Sequence, residues 1–298
     1  MSAGPPRRRR TAEWTLSLPS VAWMLVLFLA PTLMIFAIAF RPSDPFGGVG
    51  AGWSLETWRS LGDPNYPSIV WRTIWMSVVT TAVCLLAAVP VGYYIARASA
   101  RWKSLLLMAV IIPFWTNFLI RIFAWKVLLH PEGLVKRALT ALGLAGEHVS
   151  LMYNEGAVLL VLIYTSLPFA ILPIFAAAEK FDFNLIEAAR DLGCRKLGAF
   201  FRVFLPGISR GFLTAALMVF VPALGSYIIP DIMGGPTSEM IGNKIAQRVF
   251  VDRNLPHASA LSALLTLAVV LPMIVVILQR RKEQRLALAP RPESPTAD

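Results

Sequence analysis

The sequence predicts an all-α integral membrane protein with six transmembrane helices, on three observations. Hydrophobic residues make up 56% of the 298 residues against 15% charged, with a mean hydropathy of +0.63. A soluble domain carries about a quarter charged residues, so a bilayer is the natural solvent. Six stretches reach the roughly 20 apolar residues that a helix needs to cross a hydrocarbon core: 19–40, 73–96, 104–125, 156–178, 211–230 and 258–278. The basic residues flanking these stretches alternate in density along the chain, 18 on one side against 9 on the other.

The same composition excludes other classes. A chain this apolar, with nine Trp and seventeen Phe, is not disordered. Two cysteines, Cys84 and Cys194, make neither a disulfide scaffold nor a CxxC motif. His130, His148 and His257 are too dispersed for a zinc site, and no GxxxxGK[ST] phosphate loop is present. No cofactor and no metal are expected.

Taken in order, the tail 1–18 carries Arg7, Arg8, Arg9 and Arg10 ahead of the first stretch. That stretch is longer than the roughly 7–15 apolar residues of a secretory signal, which predicts an uncleaved anchor. The segment 41–68 is rich in Pro and Gly and reads as irregular, with Trp53 and Trp58 suited to a membrane interface. Five stretches contain no charge; the third holds Arg121, a costly residue at such a depth. Asn117 and Arg121 are four apart, which on one helix places them on the same face. Two readings stay open: a gate or pathway wall, or an Arg snorkelling to the external headgroups. Leu134, Val135, Ala138, Leu139 and Leu142 form an apolar stripe, with Lys136 and Arg137 off it, predicting a short interfacial helix over 131–144. Pro168, Pro173 and Pro222 interrupt backbone bonds inside stretches and predict kinks.

The segment 179–210 is too patterned for a linker. Asn184 and Glu187 have capping-box spacing, predicting a helix from Asn184. Leu185, Ile186, Ala189 and Leu192 would share its apolar face, Glu187 could pair with Arg190, and Gly193 would end it in a left-handed conformation. A second helix is predicted from Lys196 to Phe204, with Leu197, Phe200, Phe201 and Phe204 apolar, stopping before Pro206. Such a hook fits a groove on a partner; a passive interfacial hairpin is the competing reading of the pattern.

The lower basic count identifies the outer side. Inside lie the tails 1–18 and 279–298 and the segment 179–210, so both termini are expected in the cytoplasm. The excess charge of +11 then reports orientation rather than a nucleic-acid partner.

Glu187-Ala188-Ala189, three residues, Gly193, nine residues, then Val203-Phe204-Leu205-Pro206 resembles the EAA loop of permease subunits in bacterial binding-protein-dependent ABC importers, which has Ile where this chain has Val203. The resemblance implies the type I importer (MetI-like) permease fold over 19–278. It also implies that 179–210 couples to a cytoplasmic ATPase, with Glu187, Ala188, Ala189, Arg190, Asp191, Gly193, Val203, Leu205 and Pro206 as coupling residues. Pro113-Phe114-Trp115-Thr116-Asn117-Phe118-Leu119-Ile120-Arg121, Val221-Pro222-Ala223-Leu224-Gly225, the run from Ile229 to Pro236, and Met240-Ile241-Gly242-Asn243 are similar to the spermidine/putrescine permeases.

The implied partners are an ATPase dimer, a second homologous permease, an extracytoplasmic solute-binding protein and membrane lipid, in a bacterial inner membrane. The chain itself would perform no covalent step. Trp115, Asn117, Arg121, Pro222, Tyr227 and Asp231 are the candidate pathway or gate residues. Asp231, with Tyr227 one turn earlier, would meet a cationic cargo at the external mouth; an ordinary loop Asp is the competing reading. The same machinery could carry ferric iron or a small organic solute instead. An ion-driven secondary transporter is disfavoured, because no acidic residue lies in any of the six stretches.

Overall fold

The computed structural model describes residues 7–62, 65–143, 146 and 149–287. The ends of both tails, 1–6 and 288–298, and His148 lie outside the described residues. Fourteen α-helices, one π-helical turn and one 3-10 turn are present among the described residues, with an isolated Ser43–Val49 bridge as the only β pairing. The chain divides into two compact units, residues 1–62 with 247–298, and residues 63–246.

In the first unit, α1 (Arg7–Ile38) packs against the C-terminal helix, α14 (Leu255–Ala287), and the short α2 (Glu56–Ser60) also packs on α14. The apolar side chains of α1 point outward all round, Trp23 and Phe28 being 67% and 72% exposed, as expected of a helix whose solvent is hydrocarbon. The segment 41–68, expected to be irregular throughout, is largely so up to Leu55, but it also holds α2 and the first residues of the next long helix, from Asn65. Arg41 sits over the ring of Trp53, and Trp58 lies against Phe40 at 5.3 Å between centroids.

The second unit is built on α3 (Asn65–Arg97), α7 (Glu155–Glu179) and α11 (Ser209–Leu224), each packed against the other two. Around them lie α4 (Ala100–Trp115), α5 (Phe118–Leu129), α6 (Leu134–Ala141), α8 (Asn184–Asp191), α9 (Lys196–Ala199), α10 (Leu205–Gly207) and α12 (Ile228–Met233); α13 (Ile241–Phe250) leads out of the unit. Close approach of the three central helices depends on small residues. A Cβ built on Gly211 of α11 would stand 2.3 Å from Cβ of Ala177 on α7, and one on Gly92 of α3 would stand 2.8 Å from Cγ2 of Ile174. Gly211→Val is therefore expected to force α7 and α11 apart, costing about 1–3 kcal/mol, readable as a lower melting temperature of the detergent-solubilised importer.

By length and composition, Ser17–Ile38, Tyr66–Arg97 and Glu155–Glu179 are each long enough to cross a membrane. Two further candidates are bent pairs: Ala100–Trp115 with Phe118–Ala141, at 88°, and Lys196–Gly207 with Ser209–Leu224, at 72°. An apolar run, Leu255–Leu271, lies in α14.

Several expectations are corrected. The stretch 104–125 is not one helix: it breaks at Thr116 and Asn117, where Asn117 leaves the helical conformation and its Oδ1 accepts from the N–H groups of Leu119 and Ile120. Asn117 caps α5 and so does not share a helix face with Arg121. The stretch 211–230 ends as a helix at Leu224, and Pro230 belongs to α12. On α6, Lys136 is buried while Leu134 and Leu142 are exposed, because the Lys136 ammonium donates to the carbonyls of Gly146 and Val149 at 2.5 and 2.7 Å. Pro168 and Pro173 lie inside α7 and Pro222 inside α11, each within a continuous helix.

Candidate functional site

Two places collect the coupling-loop residues and part of the pathway set: the hook between α7 and α11, and a cavity where α5, α7 and α11 meet.

The hook begins with α8, but Asn184 does not cap it. Asp182 Oδ1 accepts from the Asn184 N–H at 3.0 Å, and Phe183 takes the cap position without a side-chain bond. Glu187 and Arg190 form no ion pair among the described residues. The C-terminus of α8 closes as expected: Gly193 has φ +86°, the Cys194 N–H bonds the Ala189 carbonyl, and the Gly193 N–H bonds that of Arg190. This is a Schellman closure, for which a left-handed glycine is best suited.

The second helix departs further from expectation. After α9 the backbone widens into a π-helical turn at Phe200–Phe204, then continues through α10, so Pro206 lies within helical structure and does not stop it. One extra residue in a turn rotates everything beyond it. Within that turn Phe204 is fully buried and Phe200 half-buried while Phe201 is exposed; ahead of it Leu197 is exposed, and on α8 Ile186 is buried while Leu185 and Leu192 are exposed.

Phe204 stands at the centre of an aromatic cluster that ties the hook to α3. Its ring centroid is 4.9 Å from Tyr93, 5.4 Å from Phe181, 5.2 Å from Phe200 and 6.2 Å from Phe183. Arg97 donates to the Tyr93 hydroxyl at 2.9 Å and lies over the Phe183 ring, while Lys103 pairs with Glu179 at 3.1 Å. The contacts of Phe204 to Tyr93 and Phe181 are edge-to-face and those to Phe200 and Phe183 are stacked; offset and edge-to-face pairs stabilise beyond simple burial. The repeated Phe spacing is visible in the sequence, but its convergence on Tyr93 is not.

Part of the hook's surface is a polar concavity of about 660 Å³, lined by Glu187, Arg190, Asp191, Gly193, Cys194, Arg195 and Lys196. Ala188 and Pro206 are exposed beside half-buried Ala189, Val203 and Leu205. The cations and carboxylates of the concavity make no ion pairs among the described residues. A polar, unpaired surface held on a rigid aromatic base is suited to docking.

The cavity, about 290 Å³, is lined by Phe114, Phe118, Arg121, Thr165, Ser166, Phe169, Pro222 and Ser226, among others. It brings Arg121 and Pro222 together. Arg121 is only 9% exposed, and its guanidinium carbon lies 5.3 Å from the ring centre of Phe114 and 5.9 Å from that of Phe118. Trp115, Asn117, Tyr227 and Asp231 do not line this cavity; Trp115 is 80% exposed. Asp231 is exposed on α12, one turn after Tyr227, whose carbonyl accepts from the Asp231 N–H and from Asn243 Nδ2. Nearby acids are engaged, Glu155 with Arg72 at 3.1 Å and Glu239 with Lys244 at 2.9 Å, whereas Asp231 has no ion pair among the described residues.

The family model described as "Binding-protein-dependent transport system inner membrane component" matches residues 88–285, which include both the hook and the cavity. The chain belongs to this family. This inner-membrane component is 35% identical over 254 residues to the spermidine/putrescine transport system permease protein PotB of Haemophilus influenzae, covering 85% of this chain and 89% of that one. It is 34% identical to PotB of Escherichia coli, covering 86% and 93%, and 29% identical to the inner membrane ABC transporter permease protein YdcU of Escherichia coli, covering 91% and 88%. Its fold resembles that of a chain in the crystal structure of a bacterial ABC transporter involved in the import of the acidic polysaccharide alginate, with TM-score 0.67, 16% identity, and coverage of 93% and 96%. The chain is a permease subunit of an ABC importer.

Proposed function

We propose that this permease carries polyamines such as spermidine and putrescine, forms half of a translocation pathway, and couples to its ATPase through the hook. The observation that carries this reading is the identity of about one third, across most of the chain, with permeases named for spermidine and putrescine. The fold alone would not choose a cargo, since a similar fold serves an importer of an acidic polysaccharide.

In this reading six spans lie within 19–278, the third broken at Thr116–Asn117 and the fifth ending as a helix at Leu224, and both termini are cytoplasmic. A cytoplasmic ATPase dimer receives the concavity bounded by Glu187, Arg190, Asp191 and Gly193. A second permease completes the pathway, and an extracytoplasmic binding protein delivers the cargo. The chain contributes no covalent chemistry. ATP-driven closure of the ATPases moves the hooks as rigid bodies, the aromatic cluster carries that motion into α3, and the helices switch between inward- and outward-facing arrangements.

Asp231 is the acidic group best placed to meet an ammonium, because it is exposed and without an ion pair while its acidic neighbours are engaged. Asp231→Asn is expected to lower polyamine uptake about 5- to 10-fold, equivalent to the 1–1.4 kcal/mol of one screened charge interaction, with ATPase activity retained. Unchanged kinetics would remove Asp231 from the pathway. The cargo assignment is tested by uptake into proteoliposomes holding the complete importer, with spermidine, putrescine and ferric iron compared. Uptake of iron but neither polyamine would replace the cargo and leave the coupling reading intact.

A further inference from the structure

The cavity at Arg121 holds a cation without an anion. Arg121 is nine-tenths buried, its Nε has no hydrogen-bond partner among the described residues, and no carboxylate lines the cavity. An ionised group so placed is normally paired. Here the compensation comes from rings: the guanidinium lies over Phe114 and Phe118, and Phe169 meets Phe114 edge-on at 5.1 Å. A desolvated aromatic face attracts a cation, and the same geometry accepts an alkylammonium.

We propose that this cavity is an ammonium-binding station whose resting occupant is Arg121, a tethered guanidinium that keeps Phe114 and Phe118 closed to cargo until it swings away. This deepens the polyamine reading and rests on it. An ammonium entering the space of about 290 Å³ beside Arg121 would meet a like charge within a few ångströms in a dry site, so the rings serve Arg121 or an ammonium but not both. The exchange has a built-in handle. Phe114 lies in the last turn of α4, Phe118 and Arg121 belong to α5, and the 88° bend lies between these helices. A change in that bend parts Phe114 from Arg121. An anion site is the poorer reading, because the guanidinium lies on the rings and makes no hydrogen bond to Thr165, Ser166 or Ser226, and an anion is repelled by a ring face.

The test is equilibrium binding of radiolabelled tetramethylammonium to the purified complete importer without its binding protein. Arg121→Gln and Arg121→Met should each gain saturable binding, at least about tenfold tighter than wild type, while Arg121→Lys, which keeps a tethered cation, should not. Adding Phe118→Leu to Arg121→Gln should erase the gain. No gain in either neutral variant that retains a wild-type melting profile, a gain that survives loss of the ring, or an equal gain for sulfate would each overturn the proposal. Because the probe is not a polyamine, failure of the cargo assignment appears separately, as wild-type importer that takes up no polyamine.

Discussion

Gly193→Val reduces ATP-driven uptake by about 30-fold or more while the subunit still reaches the membrane and the ATPases still turn over. Gly193 has φ +86°, and a Cβ there would meet nothing within 4 Å, so the damage is conformational rather than steric. A β-branched residue in the left-handed region costs about 1–2 kcal/mol or more. The escape is to unwind the end of α8, which releases the bonds from Gly193 and Cys194 to the carbonyls of Arg190 and Ala189 and displaces the polar concavity. A loss of about 2 kcal/mol in the docking geometry corresponds to roughly 30-fold. Gly193→Asn, which tolerates this conformation, should retain most uptake. Paired measurement of uptake and ATP hydrolysis decides the matter: wild-type uptake in the Val variant would remove the turn from the proposed coupling mechanism.

Phe204→Ala is expected to separate hydrolysis from transport by a different route. Phe204 is fully buried and its ring touches four other aromatic rings. Truncation of a buried Phe costs about 3–5 kcal/mol through lost burial and the cavity left behind. That cost falls on the join between hook and α3. The concavity would still dock, but its movement would be absorbed by a loosened base. Uptake should fall by more than about tenfold, and limited trypsin cleavage at Arg195 or Lys196 should accelerate. Phe204→Leu, which fills much of the space, should be milder. Unaltered uptake with a measurably loosened hook would exclude the cluster as the path of the motion.

How much was legible differs from place to place, for reasons that concern the range of each interaction. The Gly193 turn was readable because a Schellman closure is written within a few consecutive residues. The same local reading failed at Asn184, where Asp182 two residues upstream competes for the cap. It failed again at Phe201, because a π-helical turn shifts the apolar face by one residue and leaves no mark in the helical period. Asn117 and Arg121 have perfect spacing for one face, yet the bonds from Leu119 and Ile120 to Asn117 Oδ1 make Asn117 a cap and separate α4 from α5. Lys136 was expected at the surface because charge prefers water; two loop carbonyls, those of Gly146 and Val149, drew it inward.

By itself the sequence determined the solvent, the helical class, the expected orientation and the coupling-loop pattern, because hydropathy, charge bias and local turn chemistry act over short ranges. Only the tertiary structure decided that Phe204 binds the hook to Tyr93, that Gly211 lets α11 meet α7, and that Arg121 lies over Phe114 across a bend. Those contacts join residues whose chemistry is unremarkable alone, and their meaning arises when packing removes water and leaves each group only the partners within reach.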